Sequence, residues 1–279
     1  MPIKPPSPEQ LCRVDPVYLT EDDLEELSTF TGMTKEVCRE RVRSYSTEDM
    51  ASAWRRVCPK TPKEILEFYQ SEELYVWELA QWHASSARNP YWNALEQFCT
   101  RHPPGAGFRR VYDFGCGIGT DALFLATRGY DVTIVDVDGP ASRFARHRFA
   151  RHRLPARFVE SRSVLPEPDG LYDAVVCFDV FEHLPDPLEA ARRLVAALRP
   201  GGILVQQSTF GDDGLYPCHL PEGVRRFGGT RWHMYLAGLG LRAETSCLYR
   251  KVTGWERLAQ RVRFKVAKRT GMWVVPVGR

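Results

Sequence analysis

The sequence predicts an α/β protein: a doubly wound, mostly parallel sheet preceded by an N-terminal helical cap. Three observations carry that prediction. Beyond residue 101, apolar runs of strand length alternate with segments of helix length. The first of those strands, in "VYDFGCGIGTDALFLA" (111–126), breaks into alternating glycines and continues as an apolar helix. Ahead of residue 101 the pattern is helical, with no convincing strand and no internal repeat.

The chain therefore divides into residues 1–100 and 101–279. In the first part "TEDDLEELSTFTG" has Thr20 as its cap and Gly32 as its stop, and "TKEVCRERVRSY" follows with Thr34 as cap. "TPKEILEFYQSEELYVWELAQWH" opens on a capping box, with Thr61 at the cap, Pro62 in the first turn and Glu64 three residues on. "NPYWNALEQFCTR" restarts after the Asn89-Pro90 break. In the second part strands are expected near 109–114, 131–136, 156–160, 172–178 and 202–208, and helices near 119–129, 140–152, 186–198 and 229–240. Sheets of this kind bind ligands beyond the carboxyl ends of their strands.

Composition narrows the function classes. The 279 residues are 43% hydrophobic, and the mean hydropathy of -0.35 is that of a soluble globular protein. No apolar stretch approaches the ~20 residues that cross a bilayer. "MPIKPPSPEQLCRVDP" lacks the charged-then-apolar order of a signal peptide, so a cytoplasmic location is expected. None of the 8 cysteines is paired at the short spacing of a zinc or iron–sulfur site, and reduced thiols are expected. Basic residues are overwhelmingly Arg, as in proteins from GC-rich bacterial genomes.

The glycine turn says what it approaches. Its glycines are Gly115, Gly117 and Gly119, followed by Thr120, and the third falls one residue too early for a dinucleotide fingerprint. Asp113 stands just before the turn, where it would repel a phosphate. The turn suits a nucleoside without phosphates that carries a positive group. The second strand ends at Asp136, 23 positions after Asp113, where an acid can accept both hydroxyls of a ribose. The fourth strand, "YDAVVCFDVFEHLPDP", runs out into Asp179, Glu182 and His183, and "LRPGGILV" follows as a tight turn into the next strand.

With "YDFGCGIGTD", "VTIVDVD", "YDAVVCFDVFEHLPDP" and "LRPGGILV" in this order and spacing, the chain resembles the class I S-adenosylmethionine-dependent methyltransferases over roughly residues 105–245. The resemblance implies a seven-stranded sheet and S-adenosylmethionine as cofactor. It places the methionine part of that cofactor over Asp113, Gly115, Cys116, Gly117 and Gly119. Asp136 falls on the ribose, Val137 beside the adenine, and Phe178 and Asp179 at the methionine and the transferring methyl. Relatives often carry an Asp after the third strand for the adenine amino group. Here Arg162 stands at that position, in "RFVESRSVLPEPDG", and Ser161 or Ser163 is the alternative contact.

Methyl transfer is an in-line displacement at a sulfonium carbon, so most of the rate can come from alignment. A base is needed where the acceptor is protonated, and His183, His219 and His233 are the candidates, with His183 nearest the expected methyl. "DVFEHLPDP" is also similar to the segment of ubiquinone-pathway O-methyltransferases in which an acid, then Glu-His, holds a divalent cation. Asp179, Glu182 and His183 would form that set. The same segment occurs in metal-free relatives, and no metal is expected.

Acceptor choice is expected from the cap. Phe68, Tyr69, Tyr75, Trp77, Trp82, Tyr91 and Trp92 crowd together there, partly as core and partly as the wall of a pocket for an apolar or aromatic small molecule. From residue 251 onward eight Lys/Arg stand against the single acid Glu256, in a chain whose net charge is +3. That stretch reads as a solvated helix face or as a contact for anionic lipid, an anionic carrier or nucleic acid, with Trp255, Leu258, Val262 and Phe264 available for burial. "MWVVPV" is a candidate last strand. Three readings stay open: methyl transfer to an O or N atom of a small molecule, methylation of RNA or protein, and non-catalytic binding of the cofactor.

Overall fold

The computed structural model describes residues 19–211 and 216–270. "MWVVPV" lies outside the described residues.

The cap begins with α1 (Glu21–Thr31), α2 (Lys35–Ser44) and α3 (Thr47–Val57). Thr20 closes a capping box with Asp23, Thr34 accepts from the Val37 amide, and Gly32 ends α1 at a φ of 72°. Thr61 and Glu64 cap α4 (Pro62–Ser71) as expected. The segment does not run on as one helix. Glu72 is extended, its carboxylate accepts from the Leu74 amide at 3.0 Å, and α5 (Leu74–His83) starts in a new direction. That break aims the rings of both helices at a common space.

The sheet consists of β1 (Arg110–Phe114), β2 (Asp131–Val137), β3 (Arg157–Ser161), β4 (Tyr172–Phe178), β5 (Leu198–Gln207), β6 (Leu241–Ala243) and β7 (Leu248–Lys251), in the order β3-β2-β1-β4-β5-β7-β6. The first five strands pair in parallel, and β7 is antiparallel to both β5 and β6. This is the seven-stranded sheet implied by the family resemblance. The short β6 and β7 were not visible as runs of their own. Order reverses between β1 and β4, so their carboxyl ends flank the crevice where a ligand fits.

Alternation along the strands splits the core in two. On one face Tyr112, Val175, Cys177 and Leu204 pack with α9 (Pro187–Ala197) and α11 (Arg231–Gly238), which follows the short α10 (Pro221–Phe227). On the other, Val111, Ile134, Val176 and Val205 pack with α6 (Asn89–Arg101), α7 (Thr120–Ala126) and α8 (Pro140–Arg151). Helix α6 thus lies on the sheet, although it precedes residue 101.

A third cluster joins the cap to Ile118 and Phe144 of the sheet region. A buried ion pair reinforces it: Arg148 on α8 donates to Glu26 on α1 at 2.6 Å and to the Ile118 carbonyl and Thr120 Oγ1 at 2.9 and 2.8 Å. Arg148 therefore fixes the cap to the start of the helix that follows the glycine turn. At the other end, α12 (Gly254–Thr270) packs Phe264 on Tyr235. Leu258 and Val262, expected as candidates for burial, are 51% and 55% exposed. Among the described residues no helix is long and apolar enough to cross a membrane.

Candidate active site

The glycine turn between β1 and α7 holds φ at 73°, 53° and 75° at Gly115, Gly117 and Gly119, the left-handed region that side chains avoid. Space is equally short. A Cβ on Gly115 would lie 2.4 Å from Val180 Cγ2, and one on Gly117 would lie 2.6 Å from Leu79 Cδ1 of the cap. Asp136, at the end of β2, staples the turn: its carboxylate accepts from the Gly117 and Val137 amides, both at 2.7 Å. Burial pushes its pKa up to about 6 against those two donors. Cys116 is buried and burial raises its thiol pKa, so the thiol is inert.

Beside the turn sits a cluster that the sequence reading missed. Arg88, 2% exposed, pairs with Asp121 of α7, and its guanidinium lies 4.4 Å from the Tyr91 ring centroid and 5.4 Å from that of Phe178. Arg88 Nε, Asp121 Oδ1 and Asp113 Oδ2 are buried with no hydrogen-bond partner. Asp113 is pushed well above the usual carboxylate range, by burial first and then by the charges of Asp121 and Asp136. Buried groups in native proteins are rarely left unpaired, and each costs about 1–3 kcal/mol. The open guanidinium nitrogen of Arg88 and the open oxygen of Asp121, next to the glycine cradle, fit an α-amino acid group, its carboxylate toward Arg88 and its ammonium toward Asp121, with Asp113 buried behind. The donor set thus matches the methionine end of the expected cofactor.

The end of β4 supplies a second group of acids. Asp179 takes a φ of 52°, which Asp tolerates better than most residues, and accepts from the Tyr91 hydroxyl at 2.7 Å. Arg88 Nη1 lies 4.0 Å from its other oxygen. Glu182 is 1% exposed, accepts from the Thr209 amide at 2.6 Å through Oε1, and leaves Oε2 unpaired. Burial raises the pKa of both acids, and the Asp179 charge adds to the effect at Glu182. His183 behaves in the opposite sense: burial, and then His219, push it down to about 3. Its Nδ1 lies 3.2 Å from the Cys218 carbonyl, which only accepts, so Nδ1 carries the proton and Nε2 is the open acceptor.

His219 stacks on Tyr216 and meets His183 edge-on at 4.8 Å. Among the described residues, Glu182, His183 and His219 bring ligand atoms within 4.8 Å of one another, an arrangement that can hold a cation. Asp179, the acid expected in such a set, is not part of this one and turns instead to Tyr91 and Arg88.

One cavity of about 300 Å³ joins these groups to the cap. Its wall includes Gly115, Cys116, Gly117, Asp136 and Val137 on the sheet side, Phe178, Asp179, Glu182, His183 and His219 at the centre, and Tyr69, Tyr75, Trp82 and Tyr91 from the cap. Phe68, Trp77 and Trp92 of the aromatic group pack elsewhere as core. Gly119 shapes the turn without lining the cavity; a Cβ there would lie 2.8 Å from Ala145 Cβ.

Besides Gly119, three expected residues fall outside the wall. Asp113 lies buried behind it. Arg162 is exposed, because alternation past the end of β3 turns Ser161 and Ser163 to the cavity and the residue between them to solvent. His233 stacks on Tyr249 instead, with ring centroids 6.0 Å apart. Arg88, Asp121 and Glu78 were missed since nothing in their local pattern marks them, although Asp121 is the last residue of "YDFGCGIGTD".

Residues 43–269 match a family described as methyltransferase domain. The chain is 35% identical over 107 residues to the ubiquinone biosynthesis O-methyltransferase of Chromobacterium violaceum, covering 38% of this chain and 46% of that protein. It is 36% identical over 103 residues to the enzyme of the same name from Xanthomonas campestris pv. campestris, covering 36% and 42%. The chain thus spans under half the length of these curated relatives. A solved structure described as the [4+2]-cyclase SpnF is 20% identical, with a TM-score of 0.45 and coverage of 67% of this chain and 70% of that one.

Proposed function

This chain belongs to the methyltransferase domain family, and from that premise we propose that it transfers a methyl group from S-adenosylmethionine to an O or N atom of a small aromatic or apolar molecule. One observation carries the reading. The glycine cradle with its open amino-acid-binding groups and the aromatic face of the cap are two walls of the same cavity.

When bound, S-adenosylmethionine supplies a methyl group made electrophilic by the sulfonium. Gly115 and Gly117 let the backbone come close to the ligand, Arg88 and the acids beside it hold the amino-acid end, and Asp136 holds the ribose. Ser161 and Ser163 stand where the adenine is expected. Alignment of the reacting atoms supplies most of the rate, on the scale of ~7–11 kcal/mol for well-oriented pairs. Where the acceptor must lose a proton, the ionised form of Glu182, populated as the pH approaches about 8, takes it on the unpaired Oε2 and is a stronger base than an ordinary carboxylate. His183 stays neutral and orients the acceptor through Nε2. The cavity, with α4 and α5 in its wall and a volume of about 300 Å³, favours a small molecule over RNA or protein.

Helix α12 adds a contact of its own with an anionic lipid surface. It exposes Leu258 and Val262 on one face of a helix rich in Lys and Arg. Incubation with methyl-labelled S-adenosylmethionine and small-metabolite, RNA or protein pools tests the main reading. Label is expected in the small-metabolite pool, and label only in RNA or protein would overturn it.

A further inference from the structure

The cap end of the cavity holds a carboxylate with one open oxygen. Glu78, on α5, lines the cavity, and its buried Oε2 makes no hydrogen bond. The Tyr45 hydroxyl is its close neighbour and holds back part of the rise in its pKa, yet neither that hydroxyl nor Oε2 makes a hydrogen bond of full geometry. Gln81 holds Tyr45 there, donating to the Val42 and Tyr45 carbonyls at 2.7 and 2.9 Å. Burial pushes Glu78 up to about 7, so the group is costly to keep where a leucine of similar volume would cost nothing.

The balance of charge points to what the carboxylate receives. The wall carries Glu78, Asp121, Asp136, Asp179 and Glu182, whereas its arginine, Arg88, is already paired with Asp121. His83 and His183 do not offset these acids, since burial keeps both neutral, and the raised pKa values of Glu78, Asp136, Asp179 and Glu182 mark carboxyls that an arriving cation would stabilise in their ionised form. Around Glu78 the wall is aromatic. Tyr69 and Tyr75 meet at 5.2 Å and 89°, and Tyr45 and Trp82 also line the space. Ring faces and an open carboxylate together recognise an organic cation. Tyr69 connects this end to the other, with its hydroxyl 3.3 Å from His183 Nδ1.

We propose that the acceptor is a cationic amine whose ammonium group is held by Glu78 among Tyr45, Tyr69 and Tyr75 while its reacting atom faces Asp179, Glu182 and His183. Only the second half of this assignment rests on the methyltransferase reading. Glu78 is a recognition residue and takes no part in the chemistry.

Three compounds sharing one frame test it: tyramine, tyrosol and 4-propylphenol, which present an ammonium, a hydroxyl and a methyl at the same place. Each is titrated calorimetrically into the full chain, with and without saturating S-adenosylhomocysteine. Tyramine is expected to bind at least tenfold tighter than the other two. Glu78→Gln and Glu78→Leu should each lose at least tenfold for tyramine, keep 4-propylphenol within about twofold, and leave S-adenosylhomocysteine affinity unchanged. A wild-type chain that does not prefer tyramine, or a preference that survives both variants, overturns the proposal. Failure of S-adenosylhomocysteine to bind would instead sink the methyltransferase reading, and the titrations without it still decide the amine.

Discussion

The two walls of the cavity are built by different means. The sheet wall is mostly backbone: Gly115 and Gly117 at positive φ, two amides on Asp136, and strand ends set by parallel pairing. The cap wall is mostly side chain: rings and the Glu78 carboxylate from four separate segments, brought together by the break at Glu72 and by the Arg148–Glu26 pair. A backbone wall admits few sequences and recognises one ligand. A side-chain wall can change residue by residue without disturbing the fold, so it suits the partner that differs among relatives.

The sharpest way to break this contrast is at Gly117. Gly117→Val forces a branched residue to a φ of 53° with its Cβ against Leu79. Affinity for S-adenosylhomocysteine should fall by more than about 100-fold, roughly 2.7 kcal/mol, with the far-UV circular dichroism retained. A Leu79→Ala background should recover little, because the backbone strain remains. Full recovery would mean that the cap, and not the turn, sets the cofactor site.

Next in size is the centre, where the walls meet. Glu182→Gln should lower turnover by about 10²–10⁴-fold, the usual worth of a general base, with cofactor affinity intact. His183→Ala should cost less, since its Nδ1 is committed to the Cys218 carbonyl and its pKa near 3 leaves it a weak base. Chelators should leave turnover unchanged. Activity lost to chelator and restored by Mg²⁺ would assign Glu182, His183 and His219 to a cation instead.

A smaller effect concerns stability. Glu78 has a folded pKa of about 7, and Asp113 and Glu182 are also raised by burial, so the folded state holds protons that the unfolded state has already released. Stability contributed by these groups is therefore full below their unfolded values and is lost as pH rises through the folded ones. The buried histidines have lowered pKa values and act in the opposite direction only below about 6.5. Between pH 6.5 and 8.5 the melting temperature of the ligand-free protein should fall by about a few degrees. Glu78→Gln should melt higher than the wild type at pH 8.5 and flatten the slope. An unchanged slope would show that Glu78 is ionised and satisfied.

The smallest effect lies outside both walls. Vesicles containing phosphatidylserine should bind the chain more tightly than neutral ones, on the scale of about 1 kcal/mol per basic residue at the surface. Val262→Asp should reduce that binding severalfold and leave turnover in solution unchanged. Equal binding to neutral vesicles would remove the assignment.

The contrast between the walls also explains what could be read from the chain. Gly115, Gly117, Asp136 and Asp179 stand at strand ends, where a short motif fixes both conformation and position, and the structure places them around one cavity. Capping boxes at Thr20 and Thr61 were legible for the same local reason. Arg88 and Glu78 were not, because each acquires its surroundings only when distant segments pack. The break at Glu72 was hidden by good helix formers on both sides. Arg162 was misplaced by a single residue of register, which in extended chain reverses the direction of the side chain.

The central claim is that the end of β2 and the glycine turn hold S-adenosylmethionine. Its most direct test is a calorimetric titration of S-adenosylhomocysteine into the wild-type chain and into Asp136→Ala. The account predicts micromolar binding to the wild type, near -8 kcal/mol. It predicts a loss of about 1.5–3 kcal/mol in the variant, as for hydrogen bonds to a charged group. Equal affinity in the two proteins, or no binding to a folded wild type, would contradict it.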